Sequence, residues 1–138
     1  MDWKLEVVVI PVSDVDRAKQ FYSEQVGFHL DVDHRAGETF RVVQLTPSGS
    51  ACSVTFGNGL SQMPPGSLKG LQLVVADIDA AHAELAGRGV PVSTVKHFDD
   101  GVMADGPGGD WNSFIFFDDP DGNSWTVQQK PAQTALTA

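Results

Sequence analysis

His97, Asp99 and Asp100 form the one local grouping in this sequence able to hold an ion or pass a proton, because an imidazole and two carboxylates fall within four residues. The other histidines, His29, His34 and His82, are dispersed without ligand spacing, which favours surface or core roles for them. Cys52, the single cysteine, lies in an apolar run with no recognisable partner, so a buried, inert thiol is favoured and no disulfide can form within the chain. The glycine-rich stretch 99–112 lacks the strand, lysine and helix context of a phosphate-cradling loop, and nothing supports a nucleophilic triad.

The chain that must position these groups has 138 residues, 41% of them hydrophobic and 20% charged, the composition of a single globular domain with a core of its own. Eighteen acidic residues against nine basic ones leave a formal charge of −9, and Arg17, Lys19, Arg35 and Arg41 are scattered singly. A nucleic-acid partner is therefore not expected. The start Met1-Asp2-Trp3-Lys4 has no signal-peptide pattern and the apolar run Val7 to Ile10 is too short to span a bilayer, so the expected location is the cytoplasm, without membrane association.

The sequence repeats itself. Val12-Ser13-Asp14 recurs as Val75-Ala76-Asp77 after 63 residues, and Pro47-Ser48-Gly49 recurs as Pro120-Asp121-Gly122 after 73, since 75 − 12 = 63 and 120 − 47 = 73. The second copy thus carries about ten extra residues, which fall in 99–112, where four glycines and a proline predict a long loop. Each copy opens with a Val/Ile/Leu-rich strand and an Asp-containing turn. Ser13 or Asp14 is suited to cap a first helix whose core stripe is Ala18, Phe21, Tyr22 and Val26. Ile78, Ala81, His82, Leu85 and Ala86 make the second stripe, ended by Gly87 and Gly89. Strands are predicted over 28–32, 39–46 and 51–56, then over 90–95, 113–117 and 124–129, giving βαβββ twice. The expected organisation is one domain over 1–138, with a first module at 5–57, a linker at 58–67, a second module at 68–130 and a disordered tail at 131–138.

Two βαβββ copies with VSDVDRA at the first helix, FYSEQVGF before the second strand and FDDPDGNSW near the end resemble the vicinal oxygen chelate superfamily, which includes glyoxalase I, extradiol dioxygenases and bleomycin-binding proteins. The resemblance implies an α+β fold whose two modules curl their sheets into a cup around a small molecule. Strand alternation then puts Cys52, Val54 and Phe56 against the helix and Ser53 and Thr55 in the cup; Trp125 and Val127 would face the helix, Thr126 and Gln128 the cup. It also implies where a metal would sit in members that use one: a His or Gln early in the first strand of each module and a Glu in the last. Those positions are Val7, Gly70, Ser53 and Thr126 here, a set without imidazole or carboxylate, so neither metal nor other cofactor is expected.

The favoured function is a metal-independent small-molecule-binding protein for an aromatic or amphipathic ligand, such as a drug-sequestering protein. Its expected ligand-binding residues are Val7, Val9, Ser53, Thr55, Gly70, Gln72, Trp111, Thr126 and Gln128. Trp111 and Phe98 flank the glycine-rich stretch, either as an aromatic lid or as a cap on the sheet edge. A competing reading is a metal-independent isomerase, cyclase or lyase using His97, Asp99 or Asp100 as acid or base; a metal-dependent lyase or dioxygenase comes third. Pairing into a homodimer is expected, since exposed sheet edges invite association.

Overall fold

The structure, a computed structural model, describes residues 1–132, so the expected tail at 131–138 lies, from 133 onward, outside the described residues. The elements in chain order are β1 (Val7–Val9), α1 (Val15–Gln20), β2 (His29–Ala36), β3 (Phe40–Thr46), β4 (Ser53–Gly57), β5 (Leu71–Val75), α2 (Ile78–Gly87), β6 (Lys96–Asp99), β7 (Val102–Asp105), β8 (Phe114–Asp118) and β9 (Ser124–Gln129). They form a four-stranded sheet, β1-β4-β3-β2, and a five-stranded sheet, β5-β9-β8-β6-β7, the two-module α+β architecture of the glyoxalase type. Two compact units result: 1–69 together with the turn 119–123, and 70–118 together with the chain from Ser124 on.

The strand–cap–helix unit is built alike in both copies. Asp14 and Asp77 have nearly identical extended conformations, φ −137° and −139°, and each carboxylate accepts the backbone N–H three residues on, from Arg17 and Ala80. The α1 stripe is buried as its spacing predicts, with Ala18, Phe21, Tyr22 and Val26 at most 7% exposed. Beyond Gln20 the helix widens into a π-helical stretch, Phe21–Gln25, in which Val26 and Gly27 donate to carbonyls five residues back. Gly27, at φ +90°, then ends it in a conformation that residues with a Cβ adopt at a cost.

In the first unit β1 and β4 run parallel, with Val7 beside Ser53 and Val9 beside Thr55. Tyr22 packs against Phe56 at 5.8 Å between ring centroids, which identifies the helix-facing side of β4. Val43, Leu45, Val54 and Phe56 form its core. Arg41, itself buried, is tied to that side by Asp33 and by Asp16 of α1. In the second unit Ile115, Phe117, Trp125 and Val127 pack with Ile78, Leu85 and Val90, and Phe117 stacks on Trp125 at 6.0 Å.

Two expectations for the second module need correction. Residues 90–95 do not form a strand: Pro91 has no N–H to give a ladder, and the segment meets β8 through the Val92–Phe117 bridge, the Ser93 N–H to Phe116 carbonyl bond and the Phe116 N–H to Ser93 Oγ bond. The strand begins at Lys96 instead. The stretch 99–112 is not one long loop, because β6 and β7 form a hairpin in which Asp99 pairs with Val102. Its two-residue turn, Asp100-Gly101, has φ +52° and +80°, the geometry for which Asp-Gly is favoured. The second module therefore has one strand more than the first.

Candidate functional site

On the helix-distal face of the second sheet, alternation brings together Gln72 of β5, Thr126 and Gln128 of β9, Phe114 and Phe116 of β8, and Phe98 of β6. Gln72 lies in register with Thr126, Thr126 with Phe116, and Gln128 with Phe114. The three phenylalanines form a ladder, with Phe98 edge-on to Phe114 at 5.5 Å and Phe116 stacked on Phe114 at 6.2 Å. Such a row has no partner in the sheet's own core, whose residues point the other way. It is an apolar, polarisable platform edged by amides and a hydroxyl.

Trp111 sits beside this row, half-exposed and at φ +61°, and the loop carrying it is pinned from three sides. Asn112 mimics a strand residue by accepting from the Phe98 N–H and donating to its carbonyl, both at 2.8 Å. Gln128 Nε2 donates to the Trp111 carbonyl at 2.8 Å, and Gln72 Nε2 donates in turn to Gln128 Oε1 at 2.5 Å. Gly108 donates to Ser113 Oγ, and a Cβ at Gly108 would lie 2.4 Å from the Asn112 carbonyl oxygen, so the loop closes only around glycine. Left-handed backbone at a tryptophan costs free energy that these bonds offset.

In the first sheet Val7, Val9, Ser53 and Thr55 share the helix-distal face, as strand alternation predicts. Ser53 and Thr55 are each 8% exposed, and Thr55 Oγ1 is committed to the Val43 carbonyl at 2.9 Å. Ser53 Oγ lies 2.7 Å from Thr46 Oγ1, which donates to Asp31. Sequence reasoning passed over Thr46 and Asp31, and the Phe114–Phe116 pair; the alternation that singled out Thr126 also singles out Phe116, its neighbour in register.

The residues of the expected acid–base grouping lie along one hairpin. His97 alternates with Phe98 and so lies on the other side of β6, its Nδ1 2.8 Å from the Gly106 carbonyl oxygen; Asp99 and Asp100 are at the hairpin tip. No ion pair joins His97 to either aspartate among the described residues. The nearby carboxyl that is perturbed is Asp105, held below its ordinary range mainly by the hydrogen bond from Lys96.

A metal of the kind the fold family uses does not fit the donors present. Beside Ser53 stands the hydrocarbon side chain of Val7, and Ser53 is engaged with Thr46. Gly70 precedes β5 at φ +82°, its N–H bound to Ser124, so the β5 residue beside Thr126 is Gln72, whose amide is occupied by Gln128. No group of three or more His, Cys, Asp or Glu side chains is gathered for a metal among the described residues. A cleft of about 300 Å³ in the first unit, bordered by Ile10, Pro11, Val12, Asn58, Leu60 and Met63, includes none of the expected residues. It has neither an aromatic ring nor an ionisable group in its lining, so the sheet faces are the better candidates. Among the described residues no helix is long and apolar enough to cross a membrane.

Comparison with known proteins agrees with this architecture. The sequence model of the Glyoxalase/Bleomycin resistance protein/Dioxygenase superfamily matches residues 4–127. The crystal structure of TnmS3, an antibiotic binding protein from Streptomyces sp. CB03234, is 37% identical with a TM-score of 0.74, over 95% of this chain and 98% of that one. A glyoxalase/bleomycin resistance protein from the same organism is 38% identical with a TM-score of 0.70, over 91% and 100% of the two chains. The uncharacterized protein YetH of Bacillus subtilis (strain 168) is 26% identical over 91% of this chain and 98% of its own length. With its repeated strand–cap–helix units, its two sheets and these relatives, the chain belongs to the glyoxalase/bleomycin resistance protein/dioxygenase superfamily.

Proposed function

We propose that this protein binds a planar aromatic or amphipathic small molecule without the help of a metal, and that it serves to sequester a drug-like compound. The observation that carries the reading is the Phe98–Phe114–Phe116 ladder with Trp111 beside it and Gln72, Thr126 and Gln128 along its edge. A flat apolar ligand gains by covering such rings, while the amides and the hydroxyl orient its polar atoms. The antibiotic-binding relative at 37% identity supports the same reading. Val7, Val9, Ser53, Thr55 and Gly70 are secondary candidates for ligand contact. We further propose that the protein acts in the cytoplasm as a homodimer, for which light scattering should report about twice the 14.8 kDa chain mass.

Metal-independent isomerase, cyclase or lyase chemistry on His97, Asp99 or Asp100 has less support, because His97 is directed to a backbone carbonyl and lies across β6 from the aromatic row. The test is a thermal-shift screen of polycyclic aromatic antibiotics and dyes, followed by calorimetry on the parent and Trp111→Ala. A compound at about 100 times its dissociation constant raises stability by roughly 2.7 kcal/mol. Binding that weakens several-fold in Trp111→Ala is expected; a full screen with no stabilising aromatic compound overturns the proposal.

A further inference from the structure

Lys96 lies on the same face of the second sheet as the phenylalanine row. It is two residues from Phe98 along β6 and stands in register with Phe114 of β8, which is itself in register with Gln128 of β9. The outermost strand, β7, sets Asp105 beside Lys96 and Met103 beside Phe98. From the sheet edge inward the order is therefore Asp105, Lys96, Phe114 and Gln128. Register partners on adjacent strands have Cβ atoms about 5 Å apart, so Lys96 is the immediate neighbour of the central ring of the row.

Lys96 and Asp105 form an ion pair on unequal terms. The lysine side chain is 28% exposed and the aspartate 86%, so the ammonium is the more covered charge and belongs to the strand next to the rings, while the carboxylate stands at the outer edge. An ammonium has three N–H donors, and Asp105 is its one bonded acceptor among the described residues. Donors are left over for an oxygen of a molecule lying on Phe114. Within the strands of this sheet, alternation places one further ionisable side chain on this face, Asp118, four residues beyond Phe114 on β8 and about 13 Å away at the rise of a strand. The row thus has a cation at one end and an anion at the other. A flat molecule with a single acidic group has one favourable orientation on it, with that group at Lys96. The chain's formal charge of −9 opposes anions at long range, where salt screens it beyond about 8 Å, whereas Lys96 acts at contact.

We propose that Lys96 is the specificity-determining residue of the aromatic face, that it receives an anionic oxygen of the ligand, and that the small molecule bound by this protein is an aromatic acid. This rests on the small-molecule-binding reading and adds to it the charge and the orientation of the ligand. Asp105 competes with the ligand for the same ammonium.

The probes are 2-naphthoate, its neutral isostere 2-naphthamide and the cationic isostere 2-naphthamidine, titrated by calorimetry into the parent, Lys96→Met, Asp105→Asn and Arg88→Gln. The parent should bind the naphthoate at least about tenfold more tightly than the amide, a readily measured difference, and the amidine least. Lys96→Met keeps most of the hydrocarbon stem and should abolish the preference for the acid while amide binding persists. Asp105→Asn removes the competing carboxylate and should widen the preference. Arg88→Gln removes a positive charge elsewhere in the same unit, one paired with Glu84 on α2, and should leave the preference intact, which excludes a general effect of net charge. If Lys96→Met does not fold, the same loss is required of Lys96→Gln. Equal binding of acid and amide by the parent, a preference that survives without the Lys96 ammonium, or one that narrows in Asp105→Asn overturns the role of Lys96 and leaves the aromatic-ligand reading standing. Failure of all three probes to bind the parent overturns both.

Discussion

The phenol of Tyr22 donates to Asp119 at 2.7 Å across 97 residues of sequence, and both side chains are buried. Asn123 Nδ2 and the N–H groups of Asp121 and Asn123 also donate to that carboxyl group, at 2.8–2.9 Å, so it is held by four donors, and among the described residues no cation pairs with it. Asn123 Nδ2 is shared with the Pro11 carbonyl, which fastens the turn 119–123 to the end of β1. Tyr22→Phe removes one of the four donors at constant volume and should lower stability by about 1–3 kcal/mol, the cost of losing a buried bond to a charged group. Asp119→Ala removes the acceptor that all four share and should cost more. Urea denaturation of the two variants checks the order.

Asp33 governs a second expectation, on pH. The hydrogen bonds from Arg41 and then Lys19 hold its carboxyl far below the usual carboxylate range, and Asp16 is lowered by the same Arg41. A carboxyl whose folded-state pKa is depressed contributes its stability fully above the unfolded-state value of about 3.9 and loses it as pH falls through the folded value. The urea midpoint should therefore fall steeply on acidification below pH ~4. Asp33→Asn should be less stable than the parent at neutral pH and show a flatter acid limb.

Neighbouring residues of β9 should respond in opposite ways. Val127 is 2% exposed in the core, and Val127→Ala should cost roughly 1–3 kcal/mol through lost burial and a residual cavity. Ligand affinity should be largely spared. Thr126 lies half-buried beside Phe116 and Gln72, so Thr126→Leu should occupy ligand volume and weaken binding while thermal stability stays near that of the parent. Paired melting and calorimetry measure both effects; the reverse pattern would mean that the ligand does not use this face.

The purified protein should contain no stoichiometric nickel, iron, manganese or zinc, and a chelator should change neither its melting temperature nor its ligand affinity. Val7 and Ser53 on one sheet, with Gln72 and Thr126 on the other, motivate this expectation. Elemental analysis with about one metal per chain, lost together with ligand binding on chelation, would refute it.

Features that depend on a few consecutive residues could be read from the sequence alone. The repeated strand–cap–helix units, with Ser13 or Asp14 as the first cap, the α1 stripe and the alternation of β4 and β9 all arise from contacts within one helical turn or from the two-residue period of a strand. The glycine-rich composition of 99–112 predicts a loop and hides the Asp100-Gly101 turn signal, so the β6–β7 hairpin is recognised only in the structure. Register and bulges belong to the tertiary structure, since they depend on which carbonyl of a partner strand each N–H meets. The 63-residue offset therefore set Gly70 as the counterpart of Val7, while the paired strands put Gln72 beside Thr126. Nothing local to β2 marks Asp31 as the residue left over: that follows from how β2 is registered on β3, and it turns Asp33 to the helix side, where Arg41 and Lys19 donate to it.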